Sequence, residues 1–401
     1  MSRAKKLLLV IACLILLSQI PFAYRRYRLG QLSAKIQMLN GEHRSSRADD
    51  AWTEYQGVMH VHSFLGGHSS GNFQEIIQAA QANKLHFVVM TEHAESLIDT
   101  SALTLKGKYG DVLFINGNEV SSSSGDRLLS IPGDARLSGS AKSTTEDIVK
   151  NTHNRDGMSI VAYPDEFRSA VVNYDGMEVY NVFTNAKRIN WLVAVFDSLW
   201  SLGKYPDLLF ANYYQRPATA LKKWDERLAQ GKAVGTAGND SHANIGLSLN
   251  DGSGKKILGI ELDPYETSFR LVRLHVLLPR DKTLETNTLL NALKSGHCFI
   301  GFDLLGNTSG FRFEARNTSK LAIQGDEISY QPDTKLKVTL PIPGRMLLIK
   351  NGAVELDESG VREKEIPVGS AGVYRVEAYL PNLGNLAGNQ PWIISNPIYV
   401  R

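Results

Sequence analysis

The sequence predicts an α/β fold: a barrel or near-barrel of strands alternating with helices, followed by a small all-β sandwich and preceded by an N-terminal membrane segment. Three observations predict it. From Tyr55 to Gly301, short apolar, β-branched runs alternate with helical patterns, about seven strands in all, which is the rhythm of parallel βαβ units. Beyond Gly306 no good helical pattern remains, only short β-rich runs broken by Gly, Pro and Asn. One strongly apolar run, Leu7 to Ala23, opens the chain.

That opening run is near the lower limit of about 17 residues for a membrane-spanning helix. Arg3, Lys5 and Lys6 precede it and Arg25, Arg26 and Arg28 follow, so charge bias leaves its orientation a near tie. No clean small-x-small cleavage site follows, which favours an uncleaved signal anchor over a cleaved peptide. The catalytic part is then expected on the periplasmic or extracellular side, with secretion after cleavage as the alternative. Residues 1–28 are expected as anchor or signal peptide, 29–50 as a polar stalk, 51–305 as the barrel and 306–401 as the sandwich.

At 401 residues, 43% hydrophobic and 21% charged, the chain can bury a large core. Its formal net charge is +3, with no long basic stripe interleaved with aromatics, so no nucleic-acid partner is expected. Cys13 lies in the apolar leader and Cys298 reads as a buried thiol, so there is no disulfide framework. Nothing in the composition sets an oligomeric state.

The elements follow in order. GVMHVHS reads as a strand, and Phe73 to Leu85 as an amphipathic helix with Phe73, Ile76, Ile77, Ala80 and Leu85 inward. LHFVVMTEH and DVLFINGNEV are the second and third strands. Thr144 to Asn154 is a helix entered through Thr145, and MSIVAYP and GMEVYN are strands. Asn190 to Trp200 is an apolar helix, expected in the core; DLLFANY is a strand, Ala218 to Gln230 a helix, and AVGTAGNDSH the last barrel strand. FRFEA, KLKVTLP, MLLIKNG, GVYRVEAYL and WIISNPIYV supply the sandwich.

Four strings at strand ends carry the chemistry: His60-Val61-His62, Thr91-Glu92-His93, Gly117-Asn118-Glu119 and Asp240-Ser241-His242. A parallel β/α sheet gathers strand ends onto one rim. Neutral imidazoles and carboxylates suit divalent Mn, Fe or Zn. Residues two apart on a strand point the same way, so His60 and His62 can share an ion. His93 leaves its strand at the carboxyl end, Glu119 offers a carboxylate that can bridge ions, and Asp240 and His242 repeat the two-apart pattern. Glu92 is expected to turn away. His43, His86, His275 and His297 read as structural, and His153 as capping a helix end. Asn307-Thr308-Ser309 and Asn317-Thr318-Ser319 match the glycan-acceptor pattern.

HxH near the start, TEH after the second strand, GxE after the third and GxDxH at the end resemble the polymerase-and-histidinol-phosphatase (PHP) superfamily, over about Tyr55 to Gly301 and including ALKSGHCFIGFD. The resemblance implies a distorted seven-stranded β/α barrel that binds one to three divalent ions and hydrolyses phosphoesters with a metal-bound hydroxide. Other members cleave carboxylic or carbamate esters, and some have lost activity. PWIISNPIYV resembles the β-sandwich ending of secreted, single-chain members.

The chain departs from the family pattern in three places. FLGGHSSG stands where members carry a Ser-Asp-Gly turn, with His68 as a possible replacement ligand; Gly125-Asp126 stands for Gly-His, leaving Asp126 as a possible ligand; and Tyr163 occupies the histidine of Ala-His-Pro. Glu178 ends its strand on the same rim and is a further possible ligand. A one- or two-metal site is expected on these grounds. The metal set is thus His60, His62, His93, Glu119, Asp240 and His242, with Asp240 or His242 positioning water or protonating the leaving group. Arg168 and Arg216, and less so Lys187 and Arg188, are candidates to receive a small phosphoester substrate. The alternatives are an ester or carbamate hydrolase on the same barrel, favoured by a site without cations, and a degenerate barrel that binds a ligand or surface glycan.

Overall fold

The strand Trp52–Val61 is the hub of the architecture. The computed structural model describes residues 2–45, 51–67, 69–135, 142–171, 173–186, 190–243, 246–250, 256–261 and 264–401. The hub pairs in parallel with Phe87–Met90 and antiparallel with Arg273–Pro279. Phe87–Met90, every residue buried, pairs in parallel with Val112–Ile115, also wholly buried. Such short, continuously apolar strands are what a sheet covered on both faces requires.

One residue beyond Met90, Glu92–His93 pairs in parallel with Asn118–Ser121. Pairing then runs through Arg127–Ile131, Met158–Val161 and Gly176–Asn181 to Val234–Gly238. The last strand meets the hub again at the bridge Val61↔Ser241, where Asn239 N donates to Met59 O (2.9 Å) and His62 N to Ser241 O (3.1 Å). The carboxyl ends carrying the four strings therefore share one rim.

Not every strand is parallel, as the βαβ rhythm led one to expect. Arg127–Ile131 lies antiparallel to both its neighbours. The turn Ser122–Asp126 that joins it to Asn118–Ser121 is a hairpin connection, too short for the crossover that parallel pairing needs.

The strands after residue 305 do not form a sheet of their own. Cys298–Gly301 pairs with Pro391–Ser395, which pairs with Gly372–Tyr379 and so reaches the long strand Lys335–Lys350. Among the described residues this makes one 14-stranded sheet that includes the hub. Buried charge ties the parts together as well. Arg375 donates to Asp225 (2.8 Å at both oxygens) and to Glu377 (2.7 Å), joining the helix Ala218–Leu228 to the C-terminal strands.

Three local expectations are corrected. DLLFANY is the 3-10 helix Asp207–Asn212 rather than a strand. The helix at 145–153 is capped by Thr144 rather than Thr145, in a capping box with Asp147. The apolar helix Trp191–Ser201 is not in the core: Leu192 and Leu199 are exposed and Phe196 stacks on Phe22 of the N-terminal helix.

That N-terminal helix runs unbroken from Arg3 to Gly41, and its first half is long and apolar enough to cross a membrane. It also replaces most of the expected polar stalk. Leu29, Leu32, Ile36 and Leu39, at three- and four-residue spacing, are buried on the body of the protein. The intervening polar residues hid this stripe in the composition of 29–50; residues 46–50 lie outside the described residues. A chain beginning at Leu29 is expected to remain folded and soluble. One beginning at Glu42 uncovers four aliphatic side chains worth at most about 1.5–3 kcal/mol each and is expected to melt well below it. Thermal denaturation of the two fragments side by side checks this.

Candidate metal centre

His60 sits at φ 65, in the left-handed region, and the pairing register with Phe87–Met90 slips between Met59 and Val61. Simple alternation thus does not explain why His60 and His62 face one site. A bulge at His60 re-aims its ring, and the two ring centroids lie 5.0 Å apart. Asp240 is also left-handed, at φ 49. Such backbone costs about 1–3 kcal/mol at a non-glycine residue and persists only where its surroundings over-determine it. Both strained residues belong to the same cluster.

Four donors converge there. His60 Nε2 lies 3.3 Å from Glu119 Oε2 and 3.5 Å from Asp240 Oδ1. His62 Nε2 lies 3.4 Å from that Glu119 oxygen and 3.5 Å from that Asp240 oxygen. All four side chains are buried. A second set, His62, His93 and His242, shares His62, whose ring stacks between the other two at 4.5 and 4.3 Å. His93 Nδ1 is 3.4 Å from Glu119 Oε2. His242 Nδ1 meets the Asp240 carbonyl at 2.9 Å, which leaves its Nε2 for the cluster.

Neither ring nitrogen of His62 nor Asp240 Oδ1 has a hydrogen-bond partner, although all are buried. An unsatisfied buried polar atom costs about 1–3 kcal/mol, and two facing one point, His62 Nε2 and Asp240 Oδ1, need a reason. A divalent cation supplies one, because each group of ligand atoms lies within 4.8 Å of one another. The donor chemistry fits. Burial, with the His242 and His60 rings adding to it, pushes His62 down to about 3, and burial lowers His93 too, so both offer lone pairs at neutral pH. Burial opposes charge on Glu119 and Asp240, but the imidazoles around them hold both carboxyls well below their usual range. This buried group can hold a metal ion.

Glu178 is not among the converging donors. Both of its oxygens face His60 Nδ1, at 2.9 and 3.0 Å, and Asn181 Nδ2 donates to Oε2 at 3.2 Å. It holds the His60 ring so that Nε2 points at Glu119 and Asp240; burial opposes charge on this ring, but the three carboxylates raise its pKa well above the usual 6.5, so Nε2 gives up a proton when an ion binds. Gly238 allows this approach, since a Cβ there would stand 2.1 Å from Glu178 Oε1. Glu178→Gln is expected to weaken metal affinity about 10–100-fold without unfolding the chain, measured by metal titration against a chelating dye.

Tyr163, where the resemblance leads one to expect a histidine, donates its hydroxyl to Asp240 Oδ2 at 2.7 Å. Burial and the neighbouring Asp240 raise its pKa, so the phenol stays protonated and acts as donor. Tyr163→Phe is expected to slow turnover by about tenfold or less, since Asn181 still donates to the same oxygen at 3.3 Å. Steady-state rates of the two proteins check it.

Other expected residues lie elsewhere. Asp126 is absorbed by Thr145 Oγ1 (2.7 Å), Ser124 Oγ (3.0 Å) and Arg168 N (2.8 Å), so it braces a loop and does not reach the cluster. Arg168 is exposed and contributes that backbone N–H. Arg216 donates to Glu377 at 2.7 and 3.0 Å and to Tyr379 at 3.2 Å, and lines a cavity together with Tyr163, Glu178 and Asn181. Glu92 turns away as expected, accepting from Ser63 N and Thr104 Oγ1. His68, Lys187 and Arg188 lie outside the described residues.

The sequence reading missed Arg127. Its Nη1 donates to Glu119 Oε1 at 2.9 Å and its guanidinium lies over the Tyr163 ring at 5.7 Å, while its side chain stays 43% exposed. Reading 118–131 as a hairpin would have found it, since Arg127 then stands diagonal to Glu119 across the pair.

No protein-family model matches the chain, and no curated protein matches it. Among solved structures it is similar to a two-domain protein from Bacteroides vulgatus ATCC 8482 containing a predicted PHP-like metal-dependent phosphoesterase, at 12% identity over 88% of this chain and 98% of that one, with a TM-score of 0.39. It is also similar to PsfC from Pseudomonas syringae PB-5123, at 10% identity over 60% of this chain and 90% of that one, again with a TM-score of 0.39. At these values neither likeness bears on the chemistry of the site.

Proposed function

We propose that the chain is a divalent-metal-dependent hydrolase acting on a phosphoester, built on a distorted seven-stranded barrel of the PHP kind and held to a membrane by its N-terminal helix, with the catalytic part outside the cytoplasm. The observation that carries this reading is the convergence of His60 Nε2, His62 Nε2, Glu119 Oε2 and Asp240 Oδ1 on one buried point, with Asp240 Oδ1 and both nitrogens of His62 unpartnered. The closed circuit of pairing through Val61 and Ser241 supports the barrel.

His60, His62, Glu119 and Asp240 would hold one ion, with His93 and His242 beside it to face a second; Mn, Fe or Zn suits this donor set. A bound divalent ion lowers the pKa of water to about 7 and stabilises charge developing on a phosphoryl group. The chain's own groups do the rest. Among the described residues, Arg127, His93, His242 and Tyr163 are members of the site with exposed surface. Arg127 offers free N–H groups to a phosphate oxygen while one of them keeps Glu119 in place. This cation favours a phosphoester over a neutral carboxylic or carbamate ester. His242, its Nδ1 held on Asp240 O, would orient water at the site, or protonate the leaving group where its Nε2 binds no ion.

The test is hydrolysis of an aryl phosphodiester and an aryl monoester by the purified full chain with Mn added. His60→Ala and Asp240→Ala run alongside as controls. Metal-dependent turnover lost in both variants is expected. Retained metal with hydrolysis of carboxylic esters alone would replace the phosphoesterase reading, and a chain that binds no metal would end it.

A further inference from the structure

We infer that the helix Trp191–Ser201 lies in the surface of a lipid bilayer, as a second membrane contact beside the N-terminal helix; this rests on reading that helix as an uncleaved anchor. A helix on a water-facing surface turns charge outward. This one carries a single charged residue, Asp197, and turns that residue inward. Arg25 Nε donates to Asp197 Oδ1 at 2.9 Å, and Tyr213 donates to Oδ2 at 2.7 Å. The carboxylate is thereby neutralised by the anchor helix itself. The outer face is apolar and open, with Leu192 50% and Leu199 66% exposed.

The partners on the N-terminal helix fix the height of this face. Phe196 stacks on Phe22 with centroids 5.0 Å apart, Trp200 Nε1 donates to Gln19 Oε1 at 3.0 Å, and Arg26 donates to the Trp200 carbonyl. Gln19 to Arg26 is where the apolar run ends and the arginines begin. At about 1.5 Å per residue, Leu7 to Ala23 covers roughly 25 Å of a hydrocarbon core about 30 Å thick. Gln19 to Arg26 then straddles the boundary between the hydrocarbon core and the headgroups, where tryptophan and amphipathic helices partition. Arg26 and Arg28 add cations next to this level, complementary to anionic headgroups.

The test uses the full chain with Cys13→Ser and one of Leu192→Cys, Leu199→Cys or Leu321→Cys labelled with bimane, the native Cys298 being buried. Each is reconstituted in vesicles of phosphatidylcholine and phosphatidylglycerol that carry a spin quencher at headgroup depth. Quenching at 192 and 199 several-fold above that at 321, a C-terminal strand position 57% exposed, is the expected result. Chains that float with the vesicles but show equal quenching at all three positions would overturn the inference and leave the anchor intact. Disulfide cross-linking between Leu199→Cys chains in place of quenching would assign the face to a second copy and overturn it too. Chains that do not float would remove the anchor reading, and this inference with it.

Discussion

Asp240→Ala is expected to abolish both metal retention and turnover, with kcat/KM down by about a thousandfold or more. Asp240 is the residue on which most of the site depends. Its Oδ1 stands 3.5 Å from His60, His62 and His242 and has no hydrogen-bond partner, while its Oδ2 takes Tyr163 and Asn181. Removing the carboxylate takes away a ligand and leaves His60 facing Glu119 and Glu178 alone. The expected signature is a loss of bound metal by elemental analysis that parallels the loss of rate. Asp240→Asn keeps the shape and the Oδ1 position, so it separates ligand charge from packing. A variant that binds no metal yet still hydrolyses the phosphodiester would place the chemistry elsewhere. His60→Ala should behave as Asp240→Ala, whereas Arg127→Ala, which removes a brace on Glu119 but no ligand, should still bind metal at saturating Mn and raise KM for the phosphoester, a split that ligand residues would not show.

The second large effect lies away from the site, at His275. Its ring is fully buried, with Nδ1 at 2.8 Å from Glu54 Oε1 and Nε2 at 2.8 Å from Asp303 Oδ2 and 2.9 Å from Thr308 Oγ1. Arg312 completes the set by donating to Glu54 Oε2 at 2.7 Å. Two cations and two anions are thus closed off together between the hub strand and the C-terminal sheet. Burial opposes charge on His275, but Asp303 and Glu54 outweigh it and raise its pKa to about 9 from the ordinary 6.5. A folded-state pKa above the unfolded one means stability fully present below pH 6.5 and lost as pH rises through 9. The shift corresponds to about 3 kcal/mol. Glu54 and Asp303 are held below their ordinary values, mainly by His275, so their contribution is lost instead as pH falls below about 4. Urea denaturation between pH 6 and 10 should therefore show an alkaline decline that His275→Gln flattens. At pH 6.5 the variant is expected to be about 3–5 kcal/mol less stable, because buried carboxylates lose their partner. An unchanged alkaline limb in His275→Gln would assign the decline to other groups.

Much of the metal centre was legible in residue types alone. Imidazoles and carboxylates directly after buried apolar runs are rare unless something holds them, and a β/α rim brings strand ends together whatever the helices between them do. His60, His62, His93, Glu119, Asp240 and His242 could all be picked on that basis, and the structure gathers those six. The long apolar N-terminal helix was likewise plain, since such a run needs no tertiary context to be recognised. The buried half of that same helix was not, because Leu29, Leu32, Ile36 and Leu39 acquire meaning only from the surface they meet.

Pairings across long separations were decided by the fold. Arg216 looked free for a substrate because nothing near it in sequence opposes it; Glu377, its partner, is 161 residues away. Asp126 looked like a ligand until Thr145 and the Arg168 amide closed around it. Glu178 and Tyr163 were placed on the right rim, but whether each meets an ion or another side chain depends on differences of about an ångström, which the His60 bulge and the close approach at Gly238 set. The sequence by itself determined the donor chemistry, the strand-end positions that carry it and the apolar N-terminal helix, because these follow from local residue type and periodicity. Which donors converge, that Arg127 pairs with Glu119 and how the C-terminal strands join the hub were decided by tertiary structure alone, because hydrogen bonds and ion pairs act over a few ångströms between residues that the sequence does not set side by side.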